Sequence, residues 1–411
     1  MHPTANTPLA VLLTLAFFAP SASFASRPNK PLIVDQNSRV VVMEYEAWFG
    51  PEAVTFQGTA AKPFLQSKDM KGVGGGYDSA DPAVLRQQVA WLQTMGMDAA
   101  LIEVTNNVSC IFNSVEFLKR YGIDCTPEFR LSNRIILQNT GNLYAAWTKL
   151  GTPLKLIPMV GGIDQNVLYP DIDGKTAFEK EVDYFGALMR AHPSLNVVYH
   201  GKPLILIYLG AAQDPDWRNN PLWYQLRQFL GKHLELTRQF TFRMMAGYLD
   251  SQPLLWADQG PSSGPEEIAP RYEFWSWVDR LNPTCTDSLC PYYPTYNRSG
   301  ARVENLTVAI ATAGQNGWDC DPPNQVYCPD ASLRFGSSGD YDTFESFMTY
   351  ARQLQPIFLF VHQFNEYVPS DEGWDAQTDD DIEPADLWGR SALDEVTMQI
   401  QRYREHSGPA E

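Results

Sequence analysis

Positive charge is scarce in this sequence: 31 Lys plus Arg stand against 48 Asp plus Glu, a formal net charge of -17. Such a chain repels phosphate backbones and anionic lipid surfaces, which argues against nucleic acid and membranes as partners. Histidine and cysteine are sparse, six of each, with no CxxC pair and no HExxH motif. Zinc-ligand spacing is therefore missing, and no metal is expected. No GxGxxG or Walker loop follows any candidate strand, so the phosphate cradle of nucleotide-binding folds is missing and no organic cofactor is expected. Long hydrophobic runs are absent apart from the ten residues Leu9–Phe18, half of the roughly 20 that a membrane-spanning helix needs.

That run, followed by the small-x-small triplet Ser23-Phe24-Ala25, reads as a signal peptide over residues 1–25, with one domain over residues 26–411. The cysteines fall into local neighbours, Cys110 with Cys125, Cys285 with Cys290 and Cys320 with Cys328, which suits disulfides in an oxidising compartment. N-glycosylation sequons at Asn107, Asn297 and Asn305 point the same way. The expectation is a secreted, extracellular protein of eukaryotic type.

What is plentiful is short apolar runs separated by helical patterns. Eight candidate strands emerge: Val40–Trp48, Asp98–Thr105, Leu154–Gly161, Pro203–Leu209, Thr241–Leu249, Tyr272–Val278, Asn305–Thr312 and Ile357–Phe364. Most are apolar throughout, as in parallel sheets buried on both faces. The clearest crossover starts at Asp81 and Pro82, repeats Val84, Leu85, Val89, Leu92 and Met95 at helical spacing, and stops at Gly96. Similar patterns occupy Phe178–Ala191, Tyr224–Leu236, Phe344–Leu354 and Leu393–Tyr403. This order predicts an α/β fold, a single (β/α)8 TIM barrel, with inserted loops at 106–150 and 279–304 braced by disulfides.

Acidic side chains near the ends of apolar strands are expensive to bury unless paired or used, and barrel enzymes place their chemistry at those ends. Glu44 and Glu46 end the first strand, Glu103 lies in the second, Asp250 follows the fifth, and His362, Asn365 and Glu366 follow the eighth. Period-two alternation puts Glu44 and Glu46 on one side, and the first and eighth strands become neighbours when the barrel closes. Glu46 and Glu366 are thus expected to approach across that seam. Two carboxyls in a partly dry, aromatic site, one protonated and one ionised, are what glycosidic bond hydrolysis requires. Glu366 is the principal candidate, with Glu46, Glu103 or Asp250 as its partner.

Aromatic rings suited to stacking on sugars gather near the same strand ends: Trp48, Tyr208, Tyr248, Trp275, Tyr367 and Trp374. With Glu44, His362 and Asn365 they form the expected substrate-binding set, although any ring among them is equally able to serve as core packing. The acidic run Asp379-Asp380-Asp381 with Glu383 lacks the spacing of a calcium loop and reads as a solvated acidic loop.

Three stretches resemble the barrel glycoside hydrolases related to the endo-α-mannosidases of family 99. The first is Glu44-Tyr45-Glu46-Ala47-Trp48-Phe49-Gly50, and the second Gly76-Tyr77-Asp78-Ser79-Ala80-Asp81-Pro82 with Trp91 and Gly96-Met97-Asp98. The third is Phe364-Asn365-Glu366-Tyr367 followed by Ile382-Glu383-Pro384 and Leu387-Trp388-Gly389. The resemblance implies a barrel that hydrolyses a glycan or polysaccharide. It covers the beginning and end of the barrel, and the family's internal H-I-E-P-Y stretch has no counterpart, so no catalytic pair is carried over. An α-glucan hydrolase of similar barrel type and a non-catalytic carbohydrate-binding barrel remain the alternatives.

Overall fold

The computed structural model describes residues 30–59, 61–106, 108–161, 165–211, 222–247, 274–276, 304–310, 341–367 and 381–406. Among them lie ten strands: β1 (Leu32–Val34), β2 (Val40–Tyr45), β3 (Ala99–Val104), β4 (Lys155–Gly161), β5 (Val197–Tyr199), β6 (Lys202–Ala211), β7 (Thr241–Gly247), β8 (Phe274–Ser276), β9 (Asn305–Ala309) and β10 (Phe358–His362). The helices are α1 (Pro82–Thr94), α2 (Val108–Phe112), α3 (Val115–Tyr121), α4 (Pro127–Leu150), α5 (Ala177–Ala191), α6 (Leu222–Lys232), α7 (Leu234–Gln239), α8 (Asp342–Leu354) and α9 (Ser391–Glu405).

Eight of the strands run parallel in the order β8-β7-β6-β4-β3-β2-β10-β9, the succession of a (β/α)8 barrel, with a helix in the described crossovers β2–β3, β3–β4, β4–β6, β6–β7 and β9–β10 and α9 after the last strand. Backbone pairing joins every neighbour in that order. Between the end strands β8 and β9 the described contact is a side-chain one, the Trp275 indole donating to Glu304 at 2.8 Å just before β9. All eight expected strands are present.

Alternation within each strand separates two cores. Val40, Val42, Ala99, Leu101, Ile157, Met159, Leu204 and Leu206 fill the inside with Met245, Phe358 and Phe360. Val41, Met43 and Tyr45 face outward onto α1 and α9, through Leu85, Leu92, Leu393 and Val396. Each such fully buried side chain contributes about 1.5–3 kcal/mol of burial. Helix α1 begins as its sequence requires, the Asp81 side chain accepting from Ala83 N at 2.8 Å and Pro82 opening the first turn. It stops at Gly96, whose φ of 78° a side chain would resist.

Three expectations are corrected. The segment 106–150 is not simply an inserted loop: α4 is its 24-residue crossover helix, preceded by short α2 and α3. Buried Asn133, Asn139 and Thr140 interrupt the apolar face of α4, which hid its periodicity. The helix expected over Tyr224–Leu236 breaks at His233 into α6 and α7. Asn305 is no glycan acceptor in the folded chain, because it lies inside β9 with 0% exposure. Strands β1 and β5 were not expected; β5 returns into β6 through His200 and Gly201, both at positive φ.

The disulfide Cys110–Cys125 is formed, with Cα atoms 5.7 Å apart, and ties α2 to the chain entering α4. The expected pairs Cys285–Cys290 and Cys320–Cys328, the sequons at Asn107 and Asn297 and the signal peptide lie outside the described residues.

Candidate active site

Because Val40 and Val42 point into the barrel, the same alternation sends Glu44 and Glu46 inward at the end of β2. On the neighbouring strand Ala99 and Leu101 set the same direction for Glu103. Three carboxyls therefore converge where the apolar interior ends, at the C-terminal mouth, and all three are buried.

On the other side of β2, β10 brings His362 into register beside Glu44. His362 Nδ1 is hydrogen-bonded to Glu44 Oε2, with both side chains buried. Beyond β10 the chain turns at Asn365, Glu366 and Tyr367. Asp381 fixes this turn by accepting the main-chain N–H groups of Glu366 and Tyr367, the latter at 2.8 Å. Asn365 reaches back across the junction: its Oδ1 accepts Glu46 N at 2.9 Å and its Nδ2 donates to Glu46 O at 3.0 Å. Glu366 is partly exposed, and the Gln363 amide donates to its carboxylate. Glu46 and Glu366 lie on the two sides of the β2–β10 junction, and the Glu366 charge adds to the rise of the Glu46 carboxyl.

The electrostatics divide these acids. Burial pushes the Glu46 carboxyl well above the usual range, and the charges of Glu103, Glu44 and Glu366 add to the effect. Burial also raises Glu103, to about 8, with Glu44 adding to it and the Thr105 N–H bond opposing it. Glu46 and Glu103 titrate as an interacting pair, the charge of Glu103 disfavouring that of Glu46. Each keeps one buried oxygen without a protein partner, Oε2 in both cases. Further out, Glu181 of α5 is buried and raised well above the usual range by desolvation, its Oε2 accepting Gly161 N at 3.2 Å. The mouth thus holds buried carboxyls whose pKa values are raised, beside the partly exposed Glu366, an arrangement able to donate a proton to one atom while stabilising positive charge on another.

Of the rings expected to bind sugar, Trp48 sits partly buried at the rim, its indole donating to Glu103 O at 3.3 Å, and Tyr208 is partly exposed on the inner face of β6. Trp275 is a correction. It is buried at the opposite, N-terminal end, where it bonds Glu304 and packs on Phe358 with ring centroids 4.8 Å apart. Tyr367 is another, since its ring is 2% exposed and packs edge-on against Phe56 at 5.1 Å. Asp250, Tyr248 and Trp374 lie outside the described residues.

Of the expected solvated acidic loop, Asp381 and Glu383 are instead buried, with exposures of 1% and 0%, while Asp379 and Asp380 lie outside the described residues. Glu383, Tyr77 and Gln88 are the functional candidates that residue-by-residue reading passed over. The available signal was Gln88 itself, a polar residue on the apolar stripe of α1 between Leu85 and Leu92. The described residues that could share a cation are Glu179, His233 and Glu235, on α5 and at the α6–α7 junction, none of them part of this carboxyl cluster.

No protein-family model matches the chain, and no curated protein sequence matches it. Among solved structures it is similar to the family 99 endo-α-mannosidase of Bacteroides thetaiotaomicron, at 13% identity and a TM-score of 0.49, over 91% of this chain and 99% of that one. It is similar to a glycoside hydrolase-like protein at 13% identity and a TM-score of 0.45, over 90% and 96% of the two chains. A third is a β-mannanase from Thermomonospora fusca, at 11% identity and a TM-score of 0.34, over 71% of this chain and 78% of that one.

Proposed function

We propose that the protein is a secreted glycoside hydrolase that cleaves a polysaccharide or glycan through a two-carboxylate acid/base mechanism. The observation that carries this reading is the pairing at the β2–β10 junction. Glu46 is buried with its carboxyl raised well above the usual range, partly by the charge of Glu366, which is partly exposed and held by the Gln363 amide. In the mechanism Glu46 protonates the departing glycosidic oxygen, and Glu366 acts as the ionised base or nucleophile on the opposite face of the sugar. Burial raises the neighbouring Glu103 to about 8 as well, which favours the acid form there at neutral pH. Trp48 and Tyr208 supply apolar surface for the ring, and the His362–Glu44 pair lines the floor beneath it.

Secretion rests on the N-terminal apolar run and agrees with the Cys110–Cys125 bridge. The test is a screen of the purified protein against glycans and polysaccharides, scored by released reducing ends. Cleavage that disappears in both Glu46→Gln and Glu366→Gln supports the reading. Polysaccharide binding without cleavage favours a carbohydrate-binding barrel, and cleavage that survives both substitutions moves the chemistry elsewhere.

A further inference from the structure

Behind Glu46 runs a set of buried hydrogen bonds whose donors and acceptors are all fixed. Tyr45 OH donates to Gln88 Oε1 at 2.5 Å, which turns the Gln88 amide so that Nε2 donates to Glu383 Oε1 at 2.8 Å. Tyr77 OH donates to the other oxygen, Glu383 Oε2, at 2.8 Å. The same hydroxyl accepts from Asn365 Nδ2 at 2.8 Å, so its single proton is committed to Glu383. Asn365 in turn holds both main-chain groups of Glu46.

Both oxygens of Glu383 therefore act as acceptors, which calls for a carboxylate, yet the side chain is fully buried and among the described residues no cation pairs with it. A buried charge compensated by neutral donors alone is costly, and its retention calls for a role. We infer that Glu383 is a positioning residue: as a carboxylate it orients the Tyr77 hydroxyl, which orients the Asn365 amide, which sets the main chain of Glu46 at the mouth of the barrel. This rests on the hydrolase reading for its consequence in catalysis, but its geometric content stands apart from it. Burial lifts the Glu383 carboxyl to about 7, while hydrogen bonds from Gln88, Tyr77 and Tyr367 oppose the rise, so the carboxylate form belongs to pH above that value.

The test uses Glu383→Gln and Tyr77→Phe. The first sets an amide N–H₂ against either the Tyr77 proton or the Gln88 amide, and the second removes the relay while keeping the carboxylate. On a substrate found by the glycan screen, kcat is expected to fall roughly 10- to 100-fold in each variant with KM little changed, as for a misplaced reacting group. The double variant should fall no further than the more damaged single one. Crystal structures of the variants supply a readout free of activity, expected to show the Asn365 amide rotated and its bonds to Glu46 lost. A lowered melting temperature with kcat and the Asn365–Glu46 bonds unchanged would overturn the inference and leave Glu383 a packing residue. If Glu383→Gln fails to fold, Tyr77→Phe decides by the same two criteria. If the wild type cleaves no glycan, the hydrolase reading fails, and the crystal structures alone decide: bonds retained overturn positioning, bonds lost support it.

Discussion

Asn365 satisfies both main-chain polar groups of Glu46, at 2.9 and 3.0 Å, although the two residues are 319 positions apart in sequence. A side-chain amide has the right donor and acceptor pair to imitate a strand neighbour, so β2 is in effect extended by one bridge beyond the last residue of β10. Asn365→Ala removes that bridge from groups with no access to water. It should destabilise the protein by about 1–3 kcal/mol for each buried group left unpaired, read from the urea midpoint. Asn365→Asp, which can accept from Glu46 N but cannot donate to Glu46 O, should be no milder.

Glu366→Gln tests the chemistry without disturbing the frame. The side chain is partly exposed, and its turn is held by Asp381 through main-chain bonds that the substitution does not touch. The melting temperature should barely move, whereas loss of a charged base or nucleophile should reduce kcat at least about 10²-fold. Activity within a few-fold of wild type on a cleaved substrate would pass the role to another carboxyl at the mouth.

Much of this was legible in the sequence, for a definite reason. A parallel barrel strand is buried on both faces, so β2, β3, β4 and β10 read as apolar runs, and Glu44, Glu46 and Glu103 stood out against them. The seam between β2 and β10 followed from barrel closure alone. Helix α4 escaped notice because Asn139, which donates to Phe49 O, and Thr140, which bonds back to Ile136 O, put polar atoms on its buried face. Its start and stop were nonetheless written plainly, as Thr126-Pro127 and Gly151. Glu383 and Asp381 were misread for the opposite reason. A local run of acids looks solvated, and only the tertiary fold supplies the Tyr77, Gln88 and main-chain donors that let them be buried.

Stability should fall as pH rises. Glu103, raised from 4.5 to about 8, and Glu383, raised to about 7, bind protons more tightly in the folded chain than in the unfolded one. Their contribution is complete below about 4.5 and is lost as pH climbs through the folded values, at most on the order of 1 kcal/mol per pH unit for each group. The urea midpoint of the wild type should therefore decline between pH 5 and pH 8 if these groups dominate that window. Glu103→Gln, which cannot titrate, should flatten the decline, and an unchanged slope would mean that other groups set it.

The bridge Cys110–Cys125 closes a loop with a sequence separation of 15 around α2 and α3. A loop of that size corresponds to about 3 kcal/mol of lost freedom in the unfolded chain. Part of the restraint is duplicated, because Asp171 binds Ser114 through both N, at 2.8 Å, and Oγ, at 2.6 Å, and pairs with Lys180 at 2.7 Å. The double change of both cysteines to serine should therefore cost less than the loop model alone gives, about 2 kcal/mol by denaturant titration. Adding Asp171→Ala should cost more in that background than in the wild type.

At the far end of the barrel, Glu304, just before β9, gathers donors from β7, β8 and β5, none of which is backbone-paired to β9 among the described residues. Arg243 of β7 grips it twice, Nε to Oε2 at 3.1 Å and Nη2 to Oε1 at 2.9 Å, and Trp275 of β8 donates to Oε2 at 2.8 Å. Tyr199 of β5 donates to Oε1. The pair is buried, with side-chain exposures of 7% and 6%, so removing the cation strands a carboxylate rather than returning it to water. Arg243→Met keeps the apolar stem and deletes the charge, and should lower stability by about 3–5 kcal/mol. Combining it with Glu304→Gln removes the stranded charge as well and should recover part of the loss, which a mere packing defect at position 243 would not. Because Glu46 and Glu366 sit at the opposite ends of the strands, the activity per folded molecule should stay near wild type in the double variant. A double variant no more stable than Arg243→Met would show that packing, and not the ion pair, links β7 and β8 to the start of β9.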